Sequence, residues 1–377
     1  MKQYFYALAT FSGTIIGVGL FGLPFVTVKA GIIPVLFYFF LLGGLILISH
    51  LVYGEISLRT KKPHRLPGYA KIYLGKKAGY LSVISNAIGL FGANLAYIII
   101  GGSFLANLAL PLFGGNVFAY ILIYALSGAF LIYLGSKTIA RSEFFSLIIF
   151  FGILLFIVIK SRPSINLNSY YLFNAKNLFL PYGVILFSLG GISVIPEIRE
   201  VLGERIKLLK NVIIVGTLIP ILTYLIFIYA VVGVSGAQTT TDALTGLKEI
   251  LGPNIILAGY FFGLLTTFTS YLTIGLTLKK IFWYDLNFSH FNAWVIACFI
   301  PIILYFLGLN DFIKIIGFAG AVALGVDAII TFLIYLAAKK IGERYPEYQI
   351  NLPKPFILII IFLFILGVVF ELLSLIL

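Results

Sequence analysis

Eleven apolar runs follow one another along the chain, each about as long as a lipid bilayer's hydrocarbon core is thick, and this pattern limits the possible folds more than any other feature. A helix rises 1.5 Å per residue, so about 20 apolar residues cross the hydrocarbon. By that rule the spans fall near 4–28, 32–58, 79–110, 117–134, 144–159, 178–195, 208–234, 254–278, 291–307, 312–338 and 356–377. The reading is an all-α, polytopic membrane protein with one transmembrane domain over residues 1–377. The opening run continues to residue 28 with no small-residue cleavage site, so it reads as a retained span and not a signal peptide.

Composition agrees with lipid as the solvent. The chain is 61% hydrophobic and 10% charged, where a soluble domain is about half apolar and a quarter charged. Its net charge is +13. Nucleic-acid binding is not the explanation, because the basic residues lie in short segments between apolar runs. They also alternate. Twenty of the 26 Lys and Arg fall on one side, among them Arg59 to Lys77, Lys137, Arg141, Arg199 and Lys279. Such an excess marks the cytoplasmic side. The amino terminus is then expected inside and the carboxyl terminus outside, with anionic lipid as the partner of the basic loops. A single cysteine, Cys298, can form no internal disulfide. Among the polar segments, 241–251 is predicted to form a short outer helix closed by Gly252-Pro253.

Two spans carry the marks of broken helices. The first contains Gly13-Thr14-Ile15-Ile16-Gly17-Val18-Gly19 with Pro24 beyond, and the sixth contains Phe187-Ser188-Leu189-Gly190-Gly191 with Pro196 beyond. Glycine costs about 1 kcal/mol in a helix interior relative to alanine. Unwound backbone cannot face lipid but can line a cavity, offering amide donors at one half-helix end and carbonyl acceptors at the other. That pair suits a zwitterion. The plain alternative is close helix packing, since Gly13 and Gly17 make a Gly-x-x-x-Gly pair. Breaks in spans one and six, five apart, favour an inverted repeat of about 4–160 against 178–338, with 356–377 added.

The first-span motif with Leu23-Pro24, the sixth-span run 186–191 ending in Ile195-Pro196-Glu197, and Thr269-Ser270-Tyr271-Leu272 in the eighth resemble the amino acid/auxin permease family. That family lies within the amino acid–polyamine–cation superfamily, and the chain is similar to its bacterial aromatic amino acid permeases. The resemblance implies the LeuT-type five-plus-five inverted repeat with discontinuous first and sixth helices plus an eleventh span. It also implies that Thr14, Ile15, Gly17 and Gly19 meet the carboxylate of an amino acid, that Phe187, Ser188 and Gly190 meet its ammonium, and that Tyr97 borders the pocket.

Thr266, Thr269, Ser270, Thr273 and Thr277 share one face of the eighth span by their spacing. Oxygen ligands suit a hard cation, although such hydroxyls also bond back to their own helix. In sodium-coupled members of the superfamily, the matching ligands would be the hydroxyls of Thr269 and Ser270 with the carbonyls of Thr266, Gly13 and Ile16. The fifth span has no Lys or Arg in 144–159, which departs from the proton-coupled relatives that carry a lysine there. Asp327 is the acid most clearly inside a span and is either a proton site or a solvated group near the inner face. Glu55 is expected to pair with Arg59 one turn on. No metal-binding constellation, catalytic nucleophile or phosphate loop is apparent, so no cofactor is expected beyond a coupling ion, sodium or proton, and no enzymatic activity. The expected function is cation-coupled symport of a neutral or aromatic amino acid. A sensor without flux and an uncoupled exchanger or facilitator are the rivals.

Overall fold

The computed structural model describes residues 2–135 and 139–374, with the side chains of 139–146, 249 and 285 outside the description. Lys137 and the side chain of Arg141, counted above among the inner charges, therefore lie outside it.

Helices α1 (Lys2–Ile15) and α2 (Gly19–Ala30) meet at an angle of 46° across an unwound Ile16–Val18 segment and together form the first span. Helix α3 (Ile32–Arg59) is the second span. It turns back after the single residue Gly31, whose φ of 95° suits glycine. A Cβ there would also lie 2.6 Å from the backbone of Leu172, which crosses over this turn. A short helix, α4 (Leu66–Leu74), leads into α5 (Lys76–Phe113), the third and longest span. Helices α6 (Val117–Leu134) and α7 (Ile139–Ser161) complete the first set of five.

The sixth span is broken as well. Helix α8 (Leu180–Ser188) stops at Leu189, Gly190 and Gly191 lie outside any helix, and a turn of 3-10 helix leads into α9 (Ile195–Leu202). Helix α10 (Leu209–Ser235) follows as the seventh span. The outer segment that was expected to be helical from 241 is so only from Thr245, through a 3-10 turn into α11 (Lys248–Leu251). Ala243 has a positive φ of 61°, and Asp242 accepts from the Thr245 N–H, starting the helix late. Helices α12 (Pro253–Lys280) and α13 (His290–Phe306) are spans eight and nine. The tenth comprises α14 (Phe312–Phe318), a π-helical stretch over Ala319–Leu324, and α15 (Gly325–Ile341); α16 (Lys354–Ser374) is the eleventh.

Helix ends are closed by short polar side chains. Asn116, Ser289 and Asp311 each accept from a backbone N–H in the first turn of α6, α13 and α14. Large apolar side chains such as Phe40, Phe130 and Leu222 point outward from the bundle, as lipid-facing helices require. Helix α5 packs most extensively against α12, and Gly263 and Gly275 on α12 admit Phe104 and Ile132. Gly101 and Gly102 serve the same purpose on α5, lying against Tyr124 and Ile121 of α6. The sixth and tenth spans touch backbone to backbone: a Cβ on Gly320 would lie 1.9 Å from the Gly183 carbonyl oxygen.

Two basic residues that read as loop charges are buried instead. Lys279 donates to the carbonyls of Ile132 and Tyr133 at the end of α6, at 3.0 and 3.3 Å. The Arg199 guanidinium donates to the carbonyls of Ser57, Thr60 and Lys61 at the end of α3. Cations at helix C-termini satisfy the last, unpaired carbonyls.

Candidate functional site

The glycine clusters that unwind spans one and six bring the two breaks face to face. A Cβ on Gly19 would sit 2.4 Å from Ser188 Oγ, and one on Gly191 2.7 Å from Ile15 Cγ1. Tyr224 of α10 holds both breaks at once, its one hydroxyl hydrogen shared between the Ile15 carbonyl at 2.5 Å and the Ser188 carbonyl at 2.8 Å. These carbonyls have no place in a regular helical ladder, and a buried acceptor without a partner costs about 1–3 kcal/mol. Tyr224 therefore stabilises the unwound state of both spans.

Beside this junction lies a cavity of about 90 Å³. Its walls include Thr14, Ile15, Gly17 and Gly19 from the first span, Tyr97 from the third, and Phe187, Ser188 and Gly190 from the sixth. All eight residues singled out from the sequence for substrate thus line one space. Helix α2 begins at Gly19 with no side-chain cap, so its first N–H groups form a partly positive helix end beside the cavity. The Thr14 hydroxyl bonds back to Thr10 and that of Ser188 to Val184, leaving backbone to supply the polar character here. A carboxylate suits the start of α2. The carbonyls near the end of α8 suit an ammonium group, and those of Phe187 and Ser188 already accept one hydrogen bond each.

A second, smaller cavity of about 20 Å³ lies between the first, fifth and eighth spans. It is lined by Gly13, Ile16, Thr266, Thr269 and Ser270, the five residues of the ion set, together with Leu147 and Phe150 of α7. Its size is about that of one water or one ion. The remaining hydroxyls of that helical face, Thr273 and Thr277, bond back to carbonyls one turn earlier. Thr266 and Thr269 also bond back, Thr269 to the Thr266 carbonyl at 3.1 Å, and each hydroxyl oxygen keeps lone pairs with which to accept a cation. Among the described residues, no group of three or more His, Cys, Asp or Glu side chains could hold a metal ion.

Asp327 does not lie in solvent near the inner face. It is 3% exposed and lines the larger cavity together with Asn86 and His50. Asn86 donates to its Oδ2 at 3.0 Å, while Oδ1 has no partner among the described residues. Sequence reasoning passed over Tyr224, His50 and Asn86. Each is a polar group within an apolar run, which was the one signal that marked them.

The family model described as the tryptophan/tyrosine permease family matches residues 1–371. Similar proteins include "Glutamine transporter 2" of Aliivibrio fischeri, 24% identical with 87% of each chain covered. "Tyrosine-specific transport system 1" of Haemophilus influenzae is 25% identical with 82% of each covered. "Tryptophan-specific transport protein" of Shigella flexneri is 25% identical with 93% of this chain and 90% of that one covered. Among solved structures, MhsT in complex with L-phenylalanine superposes with a TM-score of 0.71 at 16% identity, covering 99% of this chain and 98% of that one. Mhp1, a nucleobase-cation-symport-1 family transporter with bromovinylhydantoin bound, gives 0.65 at 14%, covering 86% and 77%. These likenesses establish the LeuT-type fold.

Proposed function

Because the chain belongs to the tryptophan/tyrosine permease family, a family of multi-pass amino acid transporters, we propose that it imports a neutral, preferentially aromatic amino acid by cation-coupled symport with alternating access. One observation carries this reading. The uncapped start of α2 and the carbonyl end of α8 face a single cavity, so the backbone of the two breaks offers a zwitterion both donors and acceptors. The similar proteins named for tyrosine, tryptophan and glutamine support a neutral substrate.

The coupling cation in this proposal is sodium, bound between Gly13, Ile16, Thr266, Thr269 and Ser270. The small oxygen-lined cavity beside the first-span break supports that assignment. Asp327, with one unpartnered oxygen on the larger cavity, supports a second reading in which a proton couples instead. Either ion, crossing about 100 mV, supplies roughly 2.3 kcal/mol, nearly two decades of accumulation. The protein is placed in the cytoplasmic membrane with its amino terminus inside, on the strength of the basic-residue excess.

The test is uptake of labelled amino acids into proteoliposomes under an imposed sodium gradient, a proton gradient or neither. Sodium-driven accumulation lost in Thr269→Ala or Ser270→Ala is the expected result. Accumulation driven only by protons and lost in Asp327→Asn would replace sodium with the second reading. Saturable binding with no flux under any gradient would identify a sensor and overturn transport, and gradient-independent exchange would overturn coupling.

A further inference from the structure

Along α5 the larger cavity is lined by Asn86, Gly89, Leu90, Ala93 and Tyr97. Their offsets of three, four, seven and eleven mark one helical face, about 16 Å long at 1.5 Å per residue. The Tyr97 end holds the broken helices, and the middle is apolar, with Ile46, Leu90, Ala93, Ile274 and Leu324. The far end turns polar again at Asn86, His50 and Asp327.

The polarity of that far end can be assigned. The Thr217 hydroxyl has one hydrogen and directs it to the Ile213 carbonyl at 2.8 Å. Its contact with His50 Nδ1 at 3.1 Å then requires the imidazole to donate. Neutral His50 consequently carries its lone pair on Nε2, which is buried and has no partner among the described residues. The ring is held in place by edge-to-face packing on Phe11, centroids 5.2 Å apart. Asp327 Oδ1 is likewise buried and unpartnered. The π-helical stretch Ala319–Leu324 immediately precedes it, and Ser85 fastens that stretch to α5 by donating to the Ala323 carbonyl at 3.0 Å. Two buried acceptors with no donor among the described residues therefore line the same cavity, and none of its described lining residues is a lysine or arginine.

We propose that His50 and Asp327, with Asn86 positioning the carboxyl group, form a side-chain subsite that selects amino acids ending in an N–H or O–H donor. The proposal rests on the transport reading and deepens it: the α-groups bind at the unwound helices, the apolar body lies along Leu90 and Ala93, and the donor tip meets the acceptor pair. A substrate without the donor leaves both acceptors buried and unsatisfied. Sites of this kind reject such analogues strongly.

Equilibrium binding to the purified protein, without gradients, tests the subsite apart from coupling. The probes are L-tyrosine, L-phenylalanine and O-methyl-L-tyrosine, the last retaining the oxygen but not the donor. Tyrosine is expected to bind at least tenfold more tightly than either, and His50→Phe and Asp327→Asn are each expected to shrink that ratio at least tenfold. Equal binding of tyrosine and O-methyltyrosine would overturn the subsite. So would variants that weaken all three ligands by the same factor, which is the result of a purely structural role. Saturable uptake confined to amino acids without a side-chain donor would overturn the subsite and leave transport standing. No binding or uptake of any amino acid would sink both.

Discussion

A methyl group added to Gly17 would lie 2.1 Å from the phenolic oxygen of Tyr97. The break in the first span and the third span therefore fit each other to within less than one side-chain atom. Tyr97 has to give way, because Ile15 and Gly19 on either side of the unwound segment lie against Gly191 and Ser188 of the sixth span. Overpacking of this sort costs about 1–3 kcal/mol. Gly17→Ala should lower thermal stability in detergent by that amount. Adding Tyr97→Phe removes the clashing oxygen, so the double variant should recover most of the loss. A double-mutant cycle on unfolding midpoints gives the coupling, and independent, additive effects would show that this contact is not what requires glycine.

Tyr224 has a different task, joining two carbonyls that belong to separate broken helices. Tyr224→Phe keeps the ring but leaves the Ser188 carbonyl without its donor, while the Ile15 carbonyl keeps only the Gly17 N–H at 2.8 Å. A loss of about 1–3 kcal/mol is expected from one buried acceptor left unsatisfied. Tyr224 does not line the cavity, so any loss of substrate affinity must come through misplaced breaks. Substrate titrations should show weaker binding of every amino acid tested, with their rank order unchanged. A change in rank order would mean that Tyr224 touches substrate.

These two residues show what was legible beforehand. Glycine clusters at Gly13 to Gly19 and at Gly190-Gly191 could be read as breaks because glycine weakens a helix whatever surrounds it. Most spans were equally plain, since apolar length is a one-dimensional property; among the described residues eight helices, or nine with the bent first span, are long and apolar enough to cross a membrane, against the eleven expected. Tyr224 and His50 were not found because each is one polar group in an apolar run, and its partners lie on other helices. Arg199 and Lys279 were misread for a related reason. Charge at the end of a span looks the same in sequence whether it faces water or caps a neighbouring helix. The late start of α11 depends on Asp242 and on the positive φ at Ala243, a local choice that hydrophobic periodicity does not record.

A sodium ion held by the smaller cavity must stabilise the folded protein by linkage. Binding to the native state alone contributes RT ln(1 + [L]/Kd), about 2.7 kcal/mol at one hundred times Kd. The unfolding midpoint should therefore rise with sodium at constant ionic strength, choline replacing it in the control. Ser270→Ala should flatten that dependence while leaving the midpoint in choline within a few degrees. Equal midpoints in sodium and choline for the parent protein would remove sodium from the small cavity.

Glu55 is fully buried and joins the end of α3 to the segment between α15 and α16. Its Oε1 pairs with Arg59 at 2.8 Å, one turn on as the spacing predicts, and its Oε2 accepts from the Ile350 N–H at 2.5 Å. Ile350 belongs to the segment between α15 and α16, which Tyr348 also ties down by donating to the Leu51 carbonyl at 2.7 Å. The same segment returns to the end of α3, where the N–H groups of Glu343 and Arg344 donate to the Arg59 carbonyl. Removing one partner of a buried ion pair costs about 3–5 kcal/mol, because the other charge stays behind. Glu55→Gln retains the size and one acceptor, so the Ile350 bond can survive while Arg59 loses its counter-charge. Its destabilisation should fall near the lower end of that range. Glu55→Ala should cost more and should also free the segment, read as faster amide exchange over 343–352. If Glu55→Gln unfolds at the parent midpoint, the pair contributes no net stability, and the segment is held by its other bonds, among them those of Tyr348 to the Leu51 carbonyl and Tyr335 to the Ile350 carbonyl.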